Sequence, residues 1–279
     1  MDNFGQMLSA SLADVDLSNP INYNHPLAKG LVGFWLPLPS LAGGTKLYDL
    51  TRYRTHGTLT NMDPRTDWVV GRRTYRLSFD ATLNQYIELA SVAFGSGSSW
   101  PSFTQAVAVV PFSISSSIRC IYRSKASPNH GLYHYSDNML HNEAGTEINV
   151  SVTPGSSYHV VYTQGTANLG YHKWFVNSVE TDNVNSRETA SNDIVRICGD
   201  WWSQTFDGQL LYFMQWANRD MSNLSVSELY EEAIGGFPTL LNRTRLWLPA
   251  SAAAPSQTLL DYERGFRRGF SRGISVGTC

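Results

Sequence analysis

Short runs of apolar residues fill positions 30–90, and each run ends at a Gly, Asp or Asn. This is the pattern of β-strands joined by tight turns. The clearest run is Tyr75–Asp80, in which apolar and polar residues alternate with the period of two expected of a half-buried strand. The run Gln85–Leu89 repeats the alternation. The region therefore predicts an array of strands without a helix.

The second half of the chain predicts further strands. Thr104–Phe112 is almost continuously apolar, as expected of a strand covered on both faces. Gln209–Trp216 has large apolar residues at successive positions, which predicts a central strand that is also covered on both sides. Tyr158–Thr163 and Tyr171–Val176 predict an antiparallel pair, with a turn at Asn177 and Ser178. Shorter predicted strands are Ile118–Arg123, Gly131–Tyr135 and Ile194–Cys198.

One helix is predicted near the end of this region. Ser225 and Glu228 have the spacing of a capping box, in which each side chain satisfies a free amide of the first turn. Apolar residues follow at helical spacing through Ala233, and Gly235 and Gly236 end the pattern. We expect about two turns of helix docked on the strands.

The flanking sequences differ from the strand-rich region. Residues 1–28 have no sustained period and contain two X-Pro steps, which predicts an N-terminal arm. Residues 29–234 form the predicted β-domain, and residues 235–279 form a C-terminal extension or arm. That extension contains Tyr262–Arg272, where four Arg alternate with aromatic residues. A basic aromatic tail can contact nucleic acid, but one short cluster favours a tail that docks on a neighbouring subunit or stays disordered.

Composition narrows the function classes. The chain has 279 residues, 16% charged residues and a formal net charge of −2, so nothing marks it as a nucleic-acid-binding protein. No apolar run is long enough for a membrane span, and the N-terminus lacks the pattern of a secretory signal. Synthesis in the cytosol, with retention there or release by cell lysis, is therefore expected. Cys120, Cys198 and Cys279 are odd in number and widely spaced, which excludes a fully paired disulfide framework and a Cys-x-x-Cys metal site. The first two are predicted to be buried thiols.

Seven short motifs occur in an order that resembles the laminin-G-like domains of bacteria and phages. They are Gly30–Trp35, Tyr48–Thr51, His56–Thr58, Phe79–Asp80, Ser157–Val161, Phe206–Gly208 and Ser225–Tyr230. The resemblance covers about residues 30–234. It implies an all-β protein with a concanavalin A-like antiparallel β-sandwich (jelly roll), one short C-terminal helix and extended terminal arms.

The arrangement of arms around this domain resembles phage virion proteins. It implies a non-enzymatic structural protein of the virion, such as a capsid decoration, fibre or tail-associated component. Its expected partners are other virion proteins or further copies of itself, bound through the arms, and host-surface glycans. One alternative is a free carbohydrate-binding lectin module. A glycan-cleaving enzyme is disfavoured because no strand has the paired carboxylates that such chemistry requires.

Two candidate sites follow from these considerations. Exposed aromatic rings can stack on sugars, so Trp201, Trp202, Tyr133 and Tyr135 could form a shallow glycan site, although large aromatic residues also fill cores. Relatives of this fold often hold calcium with loop oxygens. The candidate ligands are Asp49, Asp80 and Asp207, each of which could instead cap a turn without a metal. No other cofactor is expected.

Overall fold

The computed structural model describes residues 15–38, 41–70, 75–89, 102–112, 118–124, 131–142, 147–165, 172–184, 194–200 and 204–243. These residues belong to one unit, whose boundary lies after Arg243. They form sixteen strands and one α-helix, α1 (Asn223–Ile234). The strands are β1 (Leu31–Trp35), β2 (Lys46–Leu47), β3 (Gly57–Thr60), β4 (Trp68–Val70), β5 (Tyr75–Phe79), β6 (Tyr86–Leu89), β7 (Phe103–Pro111), β8 (Arg119–Ser124), β9 (Gly131–His134), β10 (Met139–Asn142), β11 (Glu147–Ser151), β12 (Tyr158–Gln164), β13 (His172–Val176), β14 (Val179–Val184), β15 (Ile194–Ile197) and β16 (Gly208–Ala217).

The strands pair into two eight-stranded antiparallel sheets. The first has the order β14-β13-β12-β7-β16-β5-β4, and β1 pairs with the free half of β16. The second has the order β11-β10-β9-β8-β15-β6-β3-β2. The predicted all-β antiparallel sandwich with one short helix is therefore confirmed.

An apolar core fills the space between the two sheets. Val107 and Val109 of β7 face this core, while Ala106 and Ala108 face the opposite side of the first sheet. All nine residues of β7 are buried, so the predicted double cover of this strand is confirmed. The central strand β16 is likewise covered on both faces, and a register shift between Leu210 and Tyr212 interrupts its strict alternation.

A second apolar layer covers the outer face of the first sheet. Helix α1 contributes Val226, Leu229 and Ala233 to it, and the segments before β1 and after α1 contribute Ile21 and Leu241. The terminal segments therefore complete the domain, because the outer face of the first sheet is itself apolar and must be removed from water.

The predicted domain boundaries at residues 29 and 234 need correction. Val15 pairs with Arg243 and Ile21 pairs with Leu241 as isolated antiparallel bridges. The buried carboxylate of Glu232 also accepts hydrogen bonds from the amides of the segment after α1, at 3.2 Å and 3.1 Å. Residues 15–28 and 235–243 are therefore integral to the domain. The Arg-rich stretch predicted to form a docking tail lies outside the described residues.

The N-cap of helix α1 lies three residues before the predicted N-cap, Ser225. Ser222 is the N-cap, and its hydroxyl accepts a hydrogen bond from the amide of Ser225. The helix therefore has twelve residues, and Glu228 lies within it near His25. Ser225 is thus the third helical residue and receives the cap, and Glu228 does not close a capping box.

The predicted turn at Asn177 and Ser178 joins β13 to β14 instead of closing the β12–β13 pair. Both turn residues have positive φ, as a tight two-residue hairpin requires. Cys120 and Cys198 are buried free thiols, as expected. Among the described residues, no helix has the length and apolarity needed to cross a membrane.

A buried histidine makes the stability of the domain depend on pH. His159 in β12 packs between the rings of Tyr212 and Tyr230, and burial lowers its pKa to about 3. The unfolded chain binds a proton at this ring below about pH 6.5, and the folded protein does not. The free energy of unfolding should therefore fall as the pH falls, by up to about 1.4 kcal/mol per pH unit from this group.

We expect His159→Phe to reduce this pH dependence, because phenylalanine keeps the ring packing and does not titrate. Urea unfolding near pH 7 and near pH 4 measures the difference for both proteins. An unchanged difference between the two pH values would show that another group dominates the acid lability.

Candidate functional site

The two predicted glycan-binding tyrosines lie together near the end of β9. Tyr133 and Tyr135 contact edge to face, with 6.4 Å between ring centroids, and Tyr135 also stacks on His141 at 4.1 Å. Only 3% of Tyr133 is exposed, so this ring offers a ligand almost no surface. Tyr135 is half-buried. A glycan-binding role for this pair stays a prediction.

The other two predicted aromatic residues, Trp201 and Trp202, lie outside the described residues. The chain before them is anchored by Asp200, whose buried carboxylate lies 3.4 Å from the guanidinium of Arg123 in β8. The chain after them is anchored at Gln204, which donates its amide to the same Asp200 carboxylate. Both ends of this segment thus lie beside β8, the neighbour of β9.

Asp49, a predicted calcium ligand, has a structural role. Its fully buried carboxylate accepts hydrogen bonds from the amides of Phe34, Thr51 and Thr55 and from the Thr51 hydroxyl, at 2.9–3.0 Å. Burial raises the pKa of Asp49, and the bonds from these donors oppose that shift. His56 supports the same turn by accepting the amide of Asp49 at 3.1 Å. Both oxygens of Asp49 are therefore used to hold the turn at residues 51–55.

The other two predicted calcium ligands lie at a different place. Asp80 caps a short 3₁₀ turn by accepting the amide and hydroxyl of Thr82, and these bonds lower its pKa. Gly208 pairs with Phe79, so the adjacent Asp207 lies beside Asp80 at one end of the first sheet. The described residues contain no group of three or more His, Cys, Asp or Glu side chains that could hold a metal ion. Calcium binding stays a prediction without a described ligand set.

A cleft of about 1090 Å³ opens at the opposite end of β16. Its walls are formed by residues 23–32, by Arg52 and Tyr53, and by the segment from Ala217 to the start of α1. We call it the Arg52 cleft. The cleft brings together three parts of the chain that were predicted from the sequence to be an arm, a turn and a helix cap.

The N-terminal wall of the cleft is fixed by hydrogen bonds to backbone carbonyls. The indole of Trp216 donates to Leu27 at 2.6 Å. The guanidinium of Arg219 donates to the carbonyls of Pro26 and Lys29, both at 2.8 Å. Arg219 is therefore committed to the framework of the cleft.

Gly30 allows this wall to approach β16 closely. Its φ is +79°, and a Cβ at this position would lie 2.8 Å from the carbonyl oxygen of Ala217. The Ala217 amide in turn donates to the Gly30 carbonyl at 2.8 Å. The glycine that opens the first sequence motif is thus required at the rim of the cleft.

The polar and aromatic groups of the cleft meet around the guanidinium of Arg52. Its guanidinium lies 6.0 Å from the ring centroid of Tyr23 and 5.2 Å from that of Tyr53, within reach of cation–π attraction. The backbone amide of Arg52 donates to the Tyr23 hydroxyl at 2.8 Å. This bond joins the loop that contains Arg52 to the N-terminal wall. Each tyrosine is 43% exposed. The cleft therefore presents two accessible aromatic rings beside a cationic group.

None of these three residues was predicted from the sequence as part of a site. Tyr23 lies in the segment predicted to be an arm, and 29 positions separate it from Arg52, so only the fold brings them together. Arg52 and Tyr53 follow directly after a sequence motif that reads as a turn. The signal available in the sequence was their position directly after a predicted turn, because functional residues concentrate in loops.

The fold is shared with solved carbohydrate-related proteins at low sequence identity. No protein-family model matches the chain, and no curated protein sequence matches it significantly. Domain 4 of AbnA, an extracellular arabinanase from Geobacillus stearothermophilus solved with arabinotriose, is 14% identical, with a TM-score of 0.53. The match covers 72% of this chain and 98% of that domain.

Two larger proteins share the fold over part of their length. Trypanosoma rangeli sialidase is 15% identical with a TM-score of 0.53, over 83% of this chain and 38% of the sialidase. The binding domain of botulinum neurotoxin DC, solved with SialylT, is 10% identical with a TM-score of 0.52. That match covers 74% of this chain and 51% of the toxin domain. At these identities the likeness establishes a shared β-sandwich fold.

The role of Asp49 is tested by Asp49→Asn. Asparagine keeps the shape but replaces one acceptor oxygen with a donor, so buried amide or hydroxyl donors lose their partner. We expect the free energy of unfolding to fall by about 2 kcal/mol or more, as measured by urea unfolding. Asp80→Asn is the matched control, because Asp80 also accepts the amide two residues on but is exposed, and asparagine caps turns nearly as well. Equal losses in the two variants would contradict the assignment.

Proposed function

We propose that the domain binds carbohydrate in the Arg52 cleft and does not cleave it. The observation that carries this proposal is the pair of exposed rings, Tyr23 and Tyr53, beside the guanidinium of Arg52. Aromatic rings can pack against the apolar C–H face of a sugar, while a few polar groups fix its orientation. The cleft supplies such groups in Asn24 and Ser225.

The shared fold supports this proposal without deciding it. The arabinanase domain was solved with arabinotriose and the toxin binding domain with SialylT. The same fold also occurs in a sialidase. Because one fold hosts both binding and catalysis, the function has to be inferred from the residues of the site.

The non-enzymatic part of the proposal rests on the carboxylates. Glycosidases of the common type place two carboxyl groups about 5–10 Å apart across the bond that they cleave. Asp220 is the one carboxylate that lines the Arg52 cleft within the described residues. The buried Asp49 is already bound by four donors. The cleft therefore favours binding over hydrolysis.

We also propose that the domain belongs to a phage virion, as a capsid decoration, fibre or tail-associated component. This proposal is supported by the motif order and by the terminal layout of the sequence. Because residues 15–28 and 235–243 fold into the domain, attachment to other virion proteins or further copies would fall to residues 1–14 and 244–279.

Glycan binding is tested with the full chain on an array of neutral and acidic oligosaccharides, followed by calorimetry. We expect Tyr23→Ala and Tyr53→Ala each to weaken binding by about tenfold, the loss typical of a truncated aromatic anchor. Phe112→Ala is the matched control, because Phe112 is 42% exposed and lies at the opposite end of β16. The proposal fails if no glycan binds, or if the control loses as much affinity as the tyrosine variants. Turnover of a bound glycan would overturn the non-enzymatic part.

The virion proposal is tested by mass spectrometry of particles purified from the source phage or prophage. We expect the intact protein to be present in stoichiometric amounts. A chain that ends at Arg243 should keep its fold, because the compact unit ends there, but should be lost from the particles. Absence of the intact protein from purified particles contradicts the proposal.

A further inference from the structure

We infer that the Arg52 cleft selects sugars that carry a carboxylate, with the carboxylate bound at Arg52 and the sugar ring beside Tyr23 and Tyr53. This inference rests on the proposed glycan binding and goes further, because it names the ligand class. Sialic acids and uronic acids share this chemistry.

The charge of the cleft differs from that of the whole chain. Its lining contains three cationic side chains, Lys29, Arg52 and Arg219, and one carboxylate, Asp220. The chain as a whole has a formal net charge of −2. Positive charge is therefore concentrated at this cleft, which favours an anionic ligand.

Among the cations of the lining, Lys29 is exposed, and Arg52 is the one that lies beside both tyrosine rings. Arg219 is held by two carbonyl groups, whereas the Arg52 side chain makes one hydrogen bond, from Nη2 to the Tyr53 hydroxyl at 3.2 Å. Within the described part of the chain, Arg52 has no carboxylate partner. Its planar fork can therefore bind a carboxylate through two parallel hydrogen bonds, a geometry that a lysine does not match.

The start of α1 adds to the positive potential. Ser222 and Ser225 line the cleft, and Ser222 is the N-cap of this twelve-residue helix. The first turn itself contains no acidic residue, and the nearest carboxylate from another element is Glu180, which accepts the side-chain amide of Asn223 at 2.9 Å. An anion in the cleft is favoured by this field as well as by Arg52.

Asp220 provides the complementary contact for the rest of the sugar. Its Oδ1 accepts the hydroxyl of Thr163 at 2.9 Å, which fixes the carboxylate at the rim. Oδ2 has no partner among the described residues and can accept a sugar hydroxyl. A ligand with an anion at one end and hydroxyls at the other fits this polarity, because Arg52 and Asp220 belong to different segments of the cleft lining.

The test compares matched acidic and neutral sugars by calorimetry on the full chain. Sialyllactose is compared with lactose, and a galacturonic acid oligomer is compared with a neutral galactose oligomer. We expect the acidic member of at least one pair to bind about tenfold more tightly. The pair that shows this preference identifies the source of the carboxylate. The preference should shrink as the salt concentration rises, because exposed charges are screened.

Arg52→Gln should weaken the binding of the acidic sugar by more than that of the neutral sugar, so that the preference is lost. Arg52→Lys should keep part of the preference for the acidic sugar, since lysine has the charge of arginine but not its paired N–H donors. Arg65→Gln is the matched control, because Arg65 is exposed and does not line the cleft. Circular dichroism and thermal unfolding confirm that each variant is folded.

The outcomes separate the inference from the function on which it rests. Equal binding of acidic and neutral sugars overturns the carboxylate inference and leaves glycan binding intact. An equal loss of both in Arg52→Gln also overturns it, since Arg52 would then act only on the shape of the cleft. If neither pair binds and the array is also negative, the proposed function fails and the inference fails with it.

Discussion

The Arg52 cleft depends on the buried carboxylate of Asp49. This carboxylate accepts three backbone amides and the Thr51 hydroxyl, and it joins β1 to the turn after β2. Burying an unpaired charge would cost many kcal/mol, and the hydrogen bonds from these four donors to the Asp49 carboxylate offset that cost. Because the turn is fixed, the next two side chains, Arg52 and Tyr53, are held toward the cleft without being buried themselves.

The N-terminal wall of the cleft depends on the apolar outer face of the first sheet. That face requires a cover, and the segment before β1 supplies part of it through Ile21 and Leu27. Trp216 and Arg219 then bind the carbonyls of the same segment. The site therefore forms only when the N-terminal segment is in place. This couples ligand binding to the packing of a segment that contains one 3₁₀ turn, Pro26–Ala28, and no longer element.

This coupling explains what the sequence could and could not predict. Strands such as β7 and β16 were predicted because their apolar runs are long and their burial follows directly from local pattern. Ile21 and Leu27 gave no signal, because a single bridge and a single 3₁₀ turn are too short to show a period, and the burial of both residues is decided by the sheet that they cover. Tyr23 and Arg52 are distant in sequence, so their proximity is a property of the fold alone.

The exposure of Arg52 also limits what one copy of the domain can do. An exposed guanidinium is screened by salt, and a sugar held by two half-exposed rings loses much of its gain to ordering. Weak binding by a single cleft is therefore the physical expectation. Several copies held together raise the effective concentration of clefts and convert weak contacts into strong attachment. The proposed place in a virion, where many copies face one host surface, would supply that multiplicity without any further contact in the cleft.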